Sequence, residues 1–535
     1  MSESVPRLLI ICHDAIGRRM AGPGIRAWET ARILARQQPV TLIAPHAIDL
    51  EAAGLNLGTF VWGDAASLAP WLRAADVVLA NGILLAAHPE LATLACPLAL
   101  DLYDPVIFES LELHRHATTS RRHAELHASR ALLQRQLLAG DFFVCATERQ
   151  RDLYLGMLLL LGRITPEQTD RDPLVRTMID VASFGLPADP PQRHAAGLRG
   201  VVPGIGSDDR ILLWSGGLWD WMDPLTLVEA MPLVAAHRPD ARLVFLAGKH
   251  PGSAPPMQLP QRTRDRATEL GLIGHTIFFH DTWVPYEQRA DMLLDADLAV
   301  SLHRPHLETA YAAIRSRFLD HLWAGVASVV SAGDAAAALV EQHQLGRVAG
   351  NTPAAVAEAI LALLDNDTER AACAARARSL ATHFSWDQTL RPLAEFCRRP
   401  WIMRDAPPAT PPARVPDAAT AYRDLIARLD ALWQLQPGDH RAQQRLLAPA
   451  KQLVNQVAAW YVEPIRQQQN HFNAATVQAL QALAAAIDTL AGEQAPLKQH
   501  IADIERHLLD IDDAQTLLAR RLASTDNPAD TSPRL

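Results

Sequence analysis

Five cysteines in a chain of 535 residues, none in a CxxC or other ligand spacing, give no basis for a disulfide framework or a zinc ribbon. Cys12, Cys96 and Cys145 fall in apolar, strand-like runs and read as reduced core residues of a cytosolic protein. Positive charge is not in excess either. The formal net charge is −9 and the isoelectric point about 6.2, so nucleic acid is not expected as a main partner. Long hydrophobic runs are also missing. The most apolar stretch, LYLGMLLLLG (Leu153–Gly162), has about half of the ~20 residues a membrane span needs and reads as a buried helix. The opening residues, MSESVPRLLIICHD, put no basic segment ahead of an apolar one, so no signal peptide is expected. A complete dinucleotide fingerprint and its ribose-binding acid about twenty residues on are absent, which argues against a nicotinamide dehydrogenase.

The chain does carry a strand–helix alternation, repeated twice. RLLIIC, VTLIA, TFVWG, DVVLAN, PLALDLY, DFFVCA and MIDVASFG form one series; RILLWSGG, RLVFLAGK, TIFFHD, DLAVSLH, VASVVS and LGRVAG form the second. Short apolar runs separated by helices predict α/β architecture, with two doubly wound parallel sheets covered on both faces. The expected boundaries are residues 1–187 and 209–400, joined by a Pro- and Gly-containing linker at 188–208. A Pro-rich linker comes next at 401–418, then a helical extension at 419–522 and a tail at 523–535 that is expected to be disordered. In the extension, Leu497, Ile501, Ile504, Leu508, Ile511 and Leu518 fit one heptad seam. About three heptads suit a coiled coil and a helical hairpin equally.

Ligands of open α/β sheets bind beyond the carboxyl ends of the strands, so the loop after each strand is the place to seek chemistry. After the first strand stands AGPGIRAWE. Gly22 and Gly24 allow close backbone approach, and Arg26 in the first helical turn suits an anionic oxygen; the competing reading is a plain Gly-Pro-Gly turn. DLYDP lies at the end of the fifth strand and places Asp101 and Asp104 at its exit, Asp104 also fitting an N-cap before Pro105. The second series opens with SGGLWDWMDP, where Gly216 and Gly217 admit a diphosphate and Trp219 and Trp221 sit on the same loop. Asp223 reads as an N-cap. Lys249 lies past the next strand and suits a phosphate. His303, Glu308, Arg315, Arg317 and Asp320 then cluster in HRPHLETAYAAIRSRFLD. Carboxylates accept hydrogen bonds from diols and arginines neutralise diphosphate oxygens, although an internal set of ion pairs would use the same residues. His123 and His127 in HAELH are one helical turn apart, but no third ligand completes a metal site.

These motifs resemble the GT-B glycosyltransferases, and most closely the retaining glycosyltransferase family 4, also called glycosyl transferases group 1. The phrases AGPGIRAWE, DLYDP, ERQRDLYLGML, GGLWDWMDPLTL and SRFLDHLWAG are similar to a bacterial subgroup found among surface-polysaccharide enzymes, over about residues 5–400. FLDHLWAGVASVV aligns with the family's second acidic position and the strand after it. This puts Asp320 at that acid, where it would hold the donor ribose. Eight residues earlier stands Ala312, so Glu308 replaces the first acid. The family's Gly-Arg and Lys-Gly pair becomes Gly216-Gly217 and Asp223-Pro224, leaving Arg315, Arg317, Lys249 and Arg26 as candidate phosphate cations.

The resemblance implies transfer of a sugar, with retention and without a metal or other cofactor, from a nucleotide-sugar donor to a glycan or lipid-linked acceptor. Asp101, Asp104 and Glu308 are its expected catalytic residues. Gly216, Gly217, Trp219, Lys249, His303, Glu308, Arg315, Arg317 and Asp320 would hold the donor, and Gly22, Gly24 and Arg26 the acceptor or diphosphate. The expected setting is the cytoplasm, with the acceptor at the inner membrane face. The helical extension would serve oligomerisation or an assembly partner. The alternative is a non-catalytic GT-B scaffold that organises a complex through a coiled-coil tail.

Overall fold

A computed structural model describes residues 5–252 and 257–403 of the chain. Expectations for the helical extension and tail, from residue 404 onward, lie outside the described residues.

The first half forms a parallel sheet of seven strands: β1 (Leu8–Ile11), β2 (Val40–Ala44), β3 (Leu55–Thr59), β4 (Val77–Asn81), β5 (Leu98–Asp101), β6 (Phe142–Cys145) and β7 (Ile179–Val181). Their spatial order is 3-2-1-4-5-6-7. The second half adds β8 (Arg210–Trp214), β9 (Ala241–Leu246), β10 (Ile277–His280), β11 (Leu298–Ser301), β12 (Ala327–Ser331) and β13 (Gly346–Ala349), ordered 10-9-8-11-12-13. The continuous apolar runs are explained by burial on both faces, as at Leu8–Ile11 and Ala327–Ser331, where every residue is buried. Each sheet reverses strand order beside its first strand, between β1 and β4 and between β8 and β11. A ligand crevice forms at such reversals.

Two details depart from the sequence reading. TFVWG is not a strand core: β3 ends at Thr59, and Val61 and Trp62 are exposed in the turn beyond it. The leucine-rich helix Glu148–Leu160 is buried on one side only, through Tyr154 and Leu158, while Leu159 and Leu160 face solvent. A run of leucines covers every side of a helix, and here only one side meets the sheet.

The end of the second half returns to the first. Ser385 bridges Leu186, Phe396 stacks on Phe142 with ring centroids 4.9 Å apart, and Trp401 Nε1 donates to the Thr177 carbonyl. This crossing ties both sheets into one unit. Other contacts hold the facing loops together. Tyr286 N donates to the Arg18 carbonyl at 2.9 Å and Trp283 Nε1 to that of Met20 at 3.3 Å. Fully buried Gln150 spans the boundary, donating through Nε2 to the carbonyls of Tyr103 (2.9 Å) and Tyr311 (2.8 Å). Among the described residues no helix is long and apolar enough to cross a membrane.

Candidate active site

The loops after β1, β5, β8, β9 and β11 line a cavity of about 830 Å³ between the two sheets. A larger groove of about 1600 Å³ opens beside it around Arg18, Arg32, Arg36 and Tyr286. Arg32 and Arg36 are already paired with Glu29 and Asp387 there, and the clustered acids and arginines of the sequence lie in the smaller cavity.

One wall comes from the first half. β5 ends at Asp101, whose carboxylate is gripped by Arg26 through Nε (2.5 Å) and Nη2 (3.1 Å). The same guanidinium donates to the Ala182 and Ser183 carbonyls and lies over the Tyr103 ring, 4.8 Å from its centroid. Arg26 therefore joins the ends of β5 and β7, and it is committed to protein groups, as is Asp101. Gly24 is packed to match: a Cβ there would come within 2.3 Å of the Ala15 carbonyl oxygen. Gly22 lines the cavity next to the Tyr103 hydroxyl. Asp104 makes no N-cap, since the helix Val106–Leu113 starts from Pro105 without a side-chain bond. It faces the cavity instead, together with Glu109 one turn into that helix. Both keep some surface open, but they lie deep enough for desolvation to act. Burial, aided by Asp101 and Glu308, pushes Asp104 up to about 7 against a lowering hydrogen bond from Tyr103. Burial, Asp104 and Glu308 hold Glu109 well above the carboxylate range.

The second half supplies the opposite wall. Glu308 lies in the first turn of the short helix Leu307–Tyr311 and is almost fully buried. Arg315 Nη2 donates to both of its oxygens at 2.9 Å. Arg317 Nη2 donates to the Gly217 carbonyl at 2.7 Å, and the guanidinium sits 5.3 Å from the Trp214 ring centroid. Gly216 adopts φ +141°, a conformation that favours glycine, and a Cβ on it would lie 3.1 Å from Arg317 Nη2, so the guanidinium would have to shift. Among the described residues Arg317 has no carboxylate partner. Burial first, and Arg315 second, lower its pKa to about 9. Arg315 Nε and Arg317 Nη1 are buried donors without an acceptor among the described residues. Each such group costs about 1–3 kcal/mol until something accepts its hydrogen bond.

The expected residues thus divide. Asp104, Glu308, Arg315, Arg317, Trp219 and Gly22 line one cavity, and Gly216 and Gly217 support Arg317 from behind. Lys249 is exposed outside the cavity, where its neighbour His250 is the lining residue. His303 lies behind the wall, 3.2 Å from Asp334, which caps the helix Ala335–His343. Asp320 does not line the cavity. Its Oδ1 accepts from Arg289 Nε at 3.2 Å, and that guanidinium is sandwiched between Tyr286 and Trp323. An ion-pair set internal to this stretch would join its acids to Arg315 and Arg317. Arg315 does hold Glu308, whereas Asp320 is held by Arg289, thirty-one residues earlier. Among the described residues no cluster of three or more His, Cys, Asp or Glu could hold a metal.

Sequence reasoning missed Glu109, His250 and Gln150. A lone acid in the apolar run VIFESL, five residues after Asp104, marked Glu109; nothing local distinguishes Gln150.

Residues 209–366 match the family model for glycosyl transferases group 1. That segment is a glycosyl transferases group 1 domain. No curated protein matches by sequence. Among solved structures, sucrose-phosphate synthase from Thermosynechococcus elongatus superposes with a TM-score of 0.54 at 14% identity, covering 74% of this chain and 98% of that one. WaaG, a glycosyltransferase involved in lipopolysaccharide biosynthesis, gives 0.52 at 14% identity, covering 74% and 100%. An E. coli trehalose-6-phosphate enzyme bound with UDP-2-fluoro glucose gives 0.51 at 12%, covering 74% and 100%. The two sheets and their cleft are the GT-B fold. Together the domain match and the fold are those of a nucleotide-sugar glycosyltransferase.

Proposed function

We propose that the cavity transfers a sugar with retention from a nucleoside diphospho-sugar to a hydroxyl of a glycan or lipid-linked acceptor. The observation that carries this reading is the pair of buried guanidinium donors without acceptors, Arg315 Nε and Arg317 Nη1, facing a wall of acids across the cleft. A diphosphate satisfies them, and charge-assisted bonds to it strengthen as the leaving group gains charge. The bond from the anomeric carbon to the diphosphate oxygen breaks while the acceptor oxygen bonds to the same face of that carbon. The acceptor proton passes to the departing phosphate oxygen. Glu308, fixed by Arg315, sits beside the reacting centre, and Asp104 and Glu109 accept or donate hydrogen bonds to hydroxyls according to their protonation. A role in surface polysaccharide synthesis rests on the resemblance of GGLWDWMDPLTL and SRFLDHLWAG to that subgroup.

Thermal-shift titration with UDP-, GDP-, ADP-, CMP- and dTDP-sugars tests the reading. One class should raise the melting temperature in a saturable way, and release of the free nucleotide should occur when acceptor extract is added. No stabilisation by any member of the panel would favour the non-catalytic scaffold.

A further inference from the structure

The loop Leu218–Asp223 is held more firmly than a connecting loop needs to be. Asp220 accepts from the backbone N–H of Gln258 and Leu259, and its carbonyl accepts from Arg304 Nη2. His306 Nε2 donates to the Trp221 carbonyl at 2.9 Å, Met222 bridges His303, and Asp223 N donates to the Leu302 carbonyl. Two indoles are thereby fixed in place. Trp219 and Trp221 stack with centroids 5.3 Å apart and planes inclined by only 11°, and His250 packs its edge on Trp219. Both tryptophans line the cavity. Trp219 keeps part of its surface open, and the Trp221 Nε1–H, on a residue buried to more than nine-tenths, has no acceptor among the described residues. Among the described residues the indole N–H groups of Trp214 and Trp386 also lack an acceptor, but neither residue borders the cavity.

We infer that Trp219 and Trp221 form a platform for the sugar ring of the donor, with Trp219 packing on its C–H face and Trp221 Nε1 donating to a ring hydroxyl. This rests on the reading of the cavity as a nucleotide-sugar site and names what the loop recognises within it. Pyranose rings present an apolar C–H face and a rim of hydroxyls, the two features that an indole surface and a free N–H match. A nucleobase could also stack on an indole. The sugar is favoured because His306 ties Trp221 to the start of the helix that carries Glu308, so the platform stands beside the carboxylate and arginines of the reacting end. Its pinned backbone means the platform is formed before ligand arrives.

The test compares, by calorimetric titration, the nucleoside diphosphate and the matching diphospho-sugar of the class that stabilises the protein. Wild type should bind the sugar form more tightly. Trp219→Leu should shrink that advantage by about tenfold, and Trp221→Phe, which keeps an aromatic ring and loses the N–H, by about fivefold. Affinity for the bare diphosphate should stay within about twofold in both. Equal advantage in wild type and variants would overturn the inference while leaving the nucleotide site standing. Loss of diphosphate and sugar-nucleotide affinity in parallel, in variants whose melting curves match wild type, would assign the platform to the base and overturn it too. Wild-type protein that binds neither form would remove the nucleotide-sugar reading itself, and the platform with it.

Discussion

The helix Ser316–Ala324 and the Arg315 that precedes it each give one member to an acid–arginine pair, Asp320 to Arg289 and Arg315 to Glu308, and the two pairs differ in state. Glu308 and Arg315 meet at the cavity, and next to them Arg317 has a carbonyl but no acid; two guanidinium N–H groups there have no acceptor among the described residues. One turn further on, Asp320 and Arg289 are enclosed by Tyr286 and Trp323, and no polar atom of that pair is left buried without a partner. A packing pair closes its own hydrogen bonds. A ligand site keeps some open, at a cost in stability that the ligand relieves. The same contrast separates Arg26, which donates to one carboxylate and two carbonyls, from Arg317.

Removing the open cation should have the largest effect. Arg317→Ala should weaken binding of the stabilising nucleoside diphosphate about 10- to 150-fold, as loss of a charged hydrogen bond of roughly 1.5–3 kcal/mol requires. Titration calorimetry reads this directly, and unchanged affinity would place the diphosphate elsewhere. Asp320→Asn should act on stability instead, by roughly 1–3 kcal/mol in denaturant unfolding, because it leaves Arg289 buried without its counter-charge. Diphosphate affinity in that variant should stay within about threefold. A fall to the level of Arg317→Ala would return Asp320 to the ribose, where the family resemblance puts it.

Gln150→Ala should cost roughly 1–3 kcal/mol, since the carbonyls of Tyr103 and Tyr311 and the N–H of Ala146 lose one shared partner. Its distinguishing effect is on closure: hydrogen exchange should rise at residues 101–105 and 310–315, on both sides of the cleft. A rise confined to one side would make Gln150 an ordinary core residue.

The remaining effect is a pH slope. Asp104 titrates near 7 in the folded chain against a reference of 3.8, so between about pH 4 and 7 the folded state holds a proton that the unfolded state has lost. Stability from this group falls as pH rises through that window and is gone above it. Asp104→Asn should flatten the decline in melting temperature from pH 4 to 7.5. An unchanged slope would show that Asp104 is solvated and ionised.

The sheets were legible because their strands are buried on both faces, and VASVVS or RLLIIC cannot be satisfied elsewhere. The arginine-rich stretch was legible as a charged cluster at a strand exit. Which acid meets which arginine was not, because Arg289 reaches Asp320 from a different loop and Arg26 reaches Asp101 across seventy-five residues. Gln150 depended on the first half folding over the second, which no local pattern encodes. Leu159 and Leu160 show the converse: composition marks a helix as apolar but does not say how many of its sides are covered.

A crystal structure with the stabilising nucleoside diphospho-sugar bound tests the division between open and closed pairs most directly. Arg317 Nη1 and Arg315 Nε should each lie within about 3.2 Å of a diphosphate oxygen, with the Arg289–Asp320 pair unchanged. A diphosphate bound away from both arginines, or an Asp320 that has left Arg289 for the ribose, would contradict it.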